Sequence, residues 1–183
     1  MFDNLKYPIL NEDSKESVLR NAYLYACHKD IEVIKPGNVN INSPHHDTTA
    51  SDYLLSSINS GSELFHQEYS LGDRILKAVI ATRNETLTNT NLGIIMLCAP
   101  IIHALVEYKG SDLREAIIKT IDDATLDDTI KICKAINISS PGGLGDASKF
   151  DTKSLPNVKL REIMSYSAGY DRISYQYHNN FKD

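Results

Sequence analysis

The chain has 183 residues, of which 42% are hydrophobic and 23% charged, and its formal net charge is −5 at pH 7. This length fits a single domain with a sizeable core, and an acidic chain without a Lys/Arg run argues against a nucleic-acid partner. The longest apolar stretch, from Ile94 to Val106, contains a proline and is too short to span a bilayer. The N-terminus lacks the basic and apolar segments of a secretory signal, so we expect a cytoplasmic protein.

Helix signals are dense along the chain, and strand signals are nearly absent. Three pairs of a capping residue with an acidic residue three positions later predict helix starts: Asp13 with Glu16, Thr49 with Asp52, and Ser70 with Asp73. The first of these helices carries residues at helical spacing, namely Val18, Ala22, Tyr25 and Lys29. The third is predicted to turn an apolar face inward, formed by Leu71, Ile75, Ala78, Val79 and Thr82.

The segment from Leu92 to Tyr108 is apolar nearly all round, which is typical of a helix surrounded by other helices. A short helix is predicted over 112–121, and a final one over 158–177. Thr125 with Asp128 predicts the start of another, with four residues inward: Leu126, Ile130, Cys133 and Ile136. We therefore predict an all-α fold, with residues 1–183 forming one multi-helix bundle packed around a central apolar helix at about 92–108.

The long connection between Ile31 and Thr48 is the first candidate site. Prolines and a glycine interrupt it, and loops of this length in compact domains are usually functional or disordered. Its apolar residues favour order. Side chains suited to a metal ion or a phosphate lie along it, namely Glu32, Lys35, Asn38, His46 and Asp47. Ordinary surface charge is the alternative for each, and Asp47 could instead interact with the dipole of the helix that follows.

The second candidate is Asn89-Thr90-Asn91, which precedes the central helix. The N–H groups at a helix start, together with the helix dipole, form a natural anion site, and the Asn and Thr side chains can add donors. Simple capping of the helix is the alternative.

Two further segments contain groups that could serve a site. Met164, Ala168, Asp171 and Tyr175 fall on one stripe of the predicted final helix, and a charge there needs a partner or a function. Arg172 could be that partner. The glycine-rich loop around Gly143 could let backbone approach a phosphate, although it matches no nucleotide-binding fingerprint.

Taken together, these segments resemble the CitG family of triphosphoribosyl-dephospho-CoA synthases. The matching residues, in chain order, are Glu32-x-x-Lys35-Pro36-Gly37-Asn38-Val39, His45-His46-Asp47, Leu71-Gly72-Asp73, Ala81-Thr82, Asn89-Thr90-Asn91-Leu92-Gly93, Asp128, Ala135-Ile136, Pro141-Gly142-Gly143-Leu144-Gly145, Glu162-x-Met164, and Asp171-Arg172-Ile173 with Gln176, Tyr177 and Phe181. The better-known synthases carry Asn-Thr-His-x-Gly before the central helix and continue for several dozen residues. The resemblance is thus to a divergent branch that is short at its C-terminus.

The resemblance implies a transferase that joins ATP to 3′-dephospho-CoA or a related acceptor and releases adenine. It implies small-molecule substrates, no membrane partner, and Mg²⁺ as cofactor. Asn89, Thr90 and Asn91 would bind the phosphates, with further contacts from Lys35, Asn38, Gly143 and Arg172. Glu32, His46 and Asp47 would hold the metal ion. Asp171 would act beside the ribose, and catalysis would fall to Asp171, Asp47 and Glu32.

Two alternatives remain open from the sequence. An HD-type metal-dependent phosphohydrolase would use His46-Asp47 with an earlier His28 and a later Asp122 or Asp123. A non-catalytic nucleotide-binding or regulatory helical protein is the second. The sequence also leaves open whether the chain forms a homo-oligomer.

Overall fold

The computed structural model describes residues 14–35, 39–41, 43, 48–86, 88–108, 110, 112–139 and 157–182. Within these residues the structure consists of helices joined by turns and loops: α1 Lys15–Glu32, α2 Ala50–Leu64, α3 Leu71–Glu85, α4 Leu92–Glu107, α5 Leu113–Asp123, α6 Leu126–Ser139, α7 Leu160–Ser167 and α8 Arg172–His178. The described residues contain no β-strand, and an isolated bridge joins Asn40 and Ser43. The predicted all-α fold is therefore confirmed.

The helices begin where the capping patterns place them. At α2, Asp52 Oδ2 accepts hydrogen bonds from the Thr49 backbone N–H (2.7 Å) and the Thr49 hydroxyl (2.9 Å). At α3, Ser70 Oγ accepts from the backbone N–H of Asp73 at 3.2 Å. The capping residue of α1 is Ser14, whereas the predicted Asp13 lies outside the described residues.

Helix α4 lies at the centre of the bundle, as predicted, because it packs against α1, α2, α3, α5 and α8. Its interior side chains include Ile95 and Ala99, both fully buried. From α8, the buried Tyr177 hydroxyl donates to the backbone carbonyl of Met96 at 2.6 Å. None of the helices in the described ranges combines the length and apolar character that a membrane crossing needs.

Helices α3 and α6 start side by side and pack closely. The Gly72 N–H donates to Asp128 Oδ1 at 2.9 Å, and a Cβ at position 72 would lie only 2.6 Å from the Asp128 Cα. Lys131 reaches back to Asp73 at 2.9 Å. Because these contacts join the first two turns of α6 to the first turn of α3 and the two helices pack closely, α3 and α6 run in the same direction. The close approach requires glycine at position 72.

Arg74 is a fully buried cation that joins three parts of the fold. One guanidinium nitrogen, Nη1, donates to the carbonyls of Leu64 (2.7 Å) and His66 (2.6 Å) at the end of α2. Its Nε donates to His103 Nδ1 on α4 at 3.2 Å, and Glu107 lies 3.4 Å from Nη2. Since Arg74 is near the start of α3 and His103 near the end of α4, these two helices are antiparallel.

The contact between Arg74 and His103 predicts a pH-dependent stability. Burial lowers the pKa of His103, and the charge of Arg74 adds to this effect. In the unfolded chain this histidine takes up a proton near pH 6.5, whereas in the folded chain protonation requires a lower pH. The free energy of unfolding should therefore fall as the pH is lowered below about 6.5. Urea denaturation at a series of pH values measures this.

The His103→Asn variant is the control for this prediction, because the amide oxygen can still accept from Arg74 but does not titrate. Its stability should depend less on pH than that of the wild type between pH 7 and 5. Equal slopes for the two proteins would show that His103 is not the responsible group.

Two predicted features of the helices are wrong, and the sequence had left open which face of α1 is buried. The final helix is two helices, because the chain turns at 168–171 between α7 and α8. On α1, the stripe from Val18 to Lys29 faces outward, and the residues facing the core are Ser17, Tyr23, Leu24, Cys27 and Ile31. On α6, Leu126 is 43% exposed, since Asp128 and Thr129 occupy the inner face of the first turn instead.

Candidate active site

The N-cap residue of α4, Asn91, makes no side-chain capping bond, and Asn89 takes this role from two residues earlier, since its Oδ1 accepts from the Leu92 N–H at 3.2 Å. The capping alternative for Asn89 therefore holds in this structure. The N–H groups of Gly93 and Ile94, in the same first turn, have no acceptor within an α-helix. Together with the helix dipole they give this end of α4 a positive potential.

Thr90 and Asn91 are buried and bind serines of α2. The hydroxyls of Thr90 and Ser56 lie 2.5 Å apart, and Asn91 Nδ2 donates to Ser60 Oγ at 3.2 Å. Tyr23 of α1 also contacts Ser60 Oγ, at 2.8 Å. These three contacts connect α1, α2 and α4 through buried polar groups, which are favourable only when their hydrogen bonds are made.

The direction of each bond follows from the number of hydroxyl hydrogens. Ser56 donates to the Asp52 carbonyl and Ser60 to the Ser56 carbonyl, both at 2.6 Å. Each serine has only one O–H. Ser56 therefore accepts from Thr90, and Ser60 accepts from both Tyr23 and Asn91. We call this set, Tyr23, Ser56, Ser60, Thr90 and Asn91, the hydroxyl network. The Thr90 hydrogen is already committed within it.

The end of α1 lies on the same side of the bundle as the start of α4. Helices α1 and α2 are antiparallel, since Tyr23 meets Ser60 while Ile31 packs with Ala50 and Leu54. Ser56, the α2 residue that Thr90 contacts, lies between Ser60 and Leu54 along α2. Its level on α1 is therefore between Tyr23 and Ile31, and at 1.5 Å per residue Glu32 lies about 8 Å beyond that level.

Glu32 and Lys35 are engaged in local ion pairs. Glu32 Oε1 contacts His28 Nε2 at 2.8 Å, and its other oxygen pairs with Lys29. The hydrogen bond from Lys29 holds the pKa of the Glu32 carboxyl below its usual range, so this carboxylate is ionised at neutral pH. Lys35 pairs with Asp30. Ionic side chains therefore concentrate at this end of α1.

Helix α8 starts beside the start of α4. The Ile173 side chain approaches to 3.5 Å of a Cβ built on Gly93, and one turn later Tyr177 bonds the Met96 carbonyl. The two helices are therefore parallel with their first turns level. Asp171 and Arg172 are exposed at this end.

Asp171 caps α8. Its Oδ1 accepts from the Ile173 N–H at 2.9 Å, and its Oδ2 from the Ser174 hydroxyl at 2.8 Å. The predicted stripe with Met164 does not exist, because these residues belong to different helices. Arg172 stacks on the ring of Tyr175, 4.9 Å from its centroid.

The structure therefore brings Glu32, Asn89, Thr90, Asn91, Asp171 and Arg172 to one end of the bundle. Helices α3 and α6 also end there, since α3 is antiparallel to α4 and parallel to α6. Asn38, His46, Asp47 and Gly143 lie outside the described residues. Within the described ranges, no group of three or more His, Cys, Asp or Glu side chains could hold a metal ion.

The two serines of the hydroxyl network were not predicted from the sequence. Their only signal is the spacing of Ser56 and Ser60, one turn apart on a helix whose other buried residues are Ala50, Leu54, Ser57, Gly61 and Leu64. Small polar residues at that spacing are also common on exposed faces. The pattern predicts a network only once Thr90 and Asn91 are known to pack against α2.

Comparison with known proteins identifies the family. The model of the CitG family, described as ATP:dephospho-CoA triphosphoribosyl transferase, matches residues 16–183. The chain belongs to the CitG family. The match covers every described helix apart from the first residue of α1. Neither the curated proteins nor the solved structures contain a match. CitG membership makes the chain a transferase of the triphosphoribosyl-dephospho-CoA synthase type, acting on small molecules.

The hydroxyl network predicts a large effect of a single small substitution. Ser60→Ala removes the acceptor of both Tyr23 and Asn91 and leaves their buried donors unpaired. We expect the free energy of unfolding to fall by about 1–3 kcal/mol in urea denaturation.

Ser62→Ala is the matched control. Ser62 lies on the same helix, and its exposed hydroxyl bonds the Ile58 carbonyl at 3.3 Å and Arg20. This variant should lose much less stability. Comparable losses in the two variants would mean that the network contributes nothing beyond an ordinary surface serine.

Proposed function

We propose that this protein transfers the triphosphoribosyl group of ATP to 3′-dephospho-CoA or a related acceptor. A hydroxyl oxygen of the acceptor forms a bond to the anomeric carbon of the ATP ribose. The bond from that carbon to N9 of adenine breaks, adenine leaves with the bonding electrons, and one proton passes from the hydroxyl to the departing base. Positive charge develops on the ribose during the reaction, as in glycoside cleavage.

The family match over residues 16–183 carries this proposal. The geometry agrees with it, because the end of α1 and the starts of α4 and α8 meet at one end of the bundle. The reaction needs a positive site for the triphosphate and a carboxylate near the ribose. The start of α4 can supply the positive site, and Asp171 can supply the carboxylate.

The triphosphate would bind at the start of α4. The N–H groups of Gly93 and Ile94 are the donors that the fold leaves available there. Asn89 keeps its side-chain NH₂ group, since only its oxygen caps the helix, and Asn91 keeps the amide hydrogen that Ser60 does not accept. Thr90 would act by holding the helix start in place.

Cationic and loop residues would complete the phosphate site. Arg172 is exposed beside the start of α4, and Lys35 lies just beyond the end of α1. Asn38 and Gly143 remain proposed contacts on the strength of the sequence alone.

Three carboxylates are proposed to act in catalysis. Asp171 would stabilise the cationic ribose, and Glu32 and Asp47 would act beside it. Glu32, His46 and Asp47 are also the proposed Mg²⁺ ligands. Mg²⁺ usually binds one or two carboxylates together with substrate phosphates, and the lowered pKa of Glu32 suits that role. The ion would neutralise phosphate charge when bound.

The arrangement gives less support to an HD-type phosphohydrolase. That enzyme would need Asp122 or Asp123 near His28 and His46-Asp47. Asp123 instead accepts from Tyr108 at 3.1 Å, at the far end of α4 from Asn91, and Asp122 pairs with Arg161 of α7. A helix of 16 residues separates these positions by roughly 24 Å. A nucleotide-binding protein without activity would bind ATP and release no adenine.

The test is an incubation with ATP, Mg²⁺ and a panel of ribose-bearing acceptors, analysed for free adenine. Free adenine together with a triphosphoribosyl product is expected. Nucleoside with free phosphate would instead indicate a phosphohydrolase, and unchanged bound ATP a binding protein.

Asp171→Asn separates the catalytic role of Asp171 from its structural one. Asparagine is as good a helix cap as aspartate, so stability should change little, whereas loss of the charge should slow adenine release by about 100-fold or more. The control is Asp112→Asn, at the residue that caps α5. If Asp171→Asn released adenine as fast as the control variant, Asp171 would have no role in the mechanism.

A further inference from the structure

The outward face of α1 carries apolar side chains along its middle, between charged residues at its two ends. Val18 is 60% exposed and Tyr25 52% exposed, and Ala22 and Ala26 are exposed between and beside them. Surface helices normally carry polar residues on the side away from the core. A contiguous apolar face on a surface helix marks an interaction site.

These residues form one line along the helix. Val18, Ala22, Tyr25 and Lys29 follow one another in steps of four, three and four residues, the spacing by which one helix packs along another. The same steps continue to Lys15 at the start of α1 and to Glu32 at its end. We call the six residues from Lys15 to Glu32 on this line the α1 stripe.

We propose that two copies of this chain pair through their α1 stripes, antiparallel about a two-fold axis. In this register Ala22 lies opposite the partner's Tyr25, so that a large ring meets a small side chain. Val18 lies opposite the partner's Lys29, whose methylene stem can cover it. Lys15 lies opposite the partner's Glu32, so that opposite charges meet at both ends. A parallel pairing would instead place each of these side chains against its own copy, with like charges at both ends. The stripe is therefore self-complementary only when antiparallel, as a two-fold interface requires.

The centre of the stripe suits close packing. Ala26 follows Tyr25 just beyond the centre of the paired stripes, so the two copies of Ala26 are offset by about 7.5 Å along the helix axes, within reach of a short cross-link. Small side chains there let two helices approach closely. The 18 residues of α1 span about 27 Å, and beyond its end Val33 (54% exposed) and Ile34 (77% exposed) extend the apolar surface.

The pairing has a consequence for the candidate active site. It brings the partner's Lys15 to Glu32, adding a positive charge at the end of α1. This consequence rests on the proposed function, whereas the pairing itself does not, and the molecular mass of the protein tests the pairing without any assay of activity.

The test is sedimentation equilibrium of the full chain over a wide range of concentrations. The wild type should reach twice the chain mass of 20.4 kDa. Tyr25→Glu, which places two carboxylates in the interface, should remain monomeric at the same concentrations. The matched control is Tyr166→Glu on α7, where the tyrosine is 42% exposed, and it should dimerise like the wild type. Circular dichroism checks that both variants keep their helices.

A cross-link tests the register. Ala26→Cys should be joined to its own copy by a short bifunctional thiol reagent, whereas Ser165→Cys on α7 should not. A wild type that stays monomeric at every concentration overturns the proposal. A dimer that Tyr25→Glu leaves intact, or that fails to cross-link at position 26, overturns it as well, because such a dimer uses another surface.

Discussion

The hydrogen bonds from the start of α4 to the serines of α2 are the constraint on which the arrangement of this end of the molecule depends. Both serines donate to their own helix backbone, so each can only accept from its neighbours. Thr90, Asn91 and Tyr23 supply the donors. Shifting α4 by one turn would leave the two buried donors of Thr90 and Asn91 unpaired, at a cost of about 1–3 kcal/mol each. The network thus fixes the position of α4 along α2.

Once α4 is fixed, the other elements of the site follow from single contacts. Tyr177 holds α8 parallel to α4, which brings Asp171 level with Asn91. Arg74 holds α3 antiparallel to α4, so that α3 ends at the same place. The Tyr177 and Arg74 side chains that make these contacts are fully buried. The CitG motif residues Gly72 and Asp128 belong to this supporting structure, since they bond one another.

Local signals predicted most of the fold from the sequence, and they failed where tertiary packing decides. The capping pairs at Thr49 and Ser70 were predictable because a cap is a contact between residues three apart. The break before Asp171 was not, because nothing in that segment excludes one continuous helix. Similarly, α1 has apolar residues on two faces, so periodicity alone could not tell which face is buried. Of the candidate site, the start of α4 was predicted, whereas the helix break that makes Asp171 a cap and the serine partners of Thr90 and Asn91 were not.

The central claim is that the end of α1 and the starts of α4 and α8 form one ligand site. Hydrogen exchange measured by mass spectrometry, with and without ATP and Mg²⁺, tests it most directly. We expect ATP to slow exchange in the first turn of α4, at the end of α1 and in the first turn of α8, with little change at the end of α4 near Tyr108. Slowed exchange confined to that opposite end, or to α5, would contradict the claim.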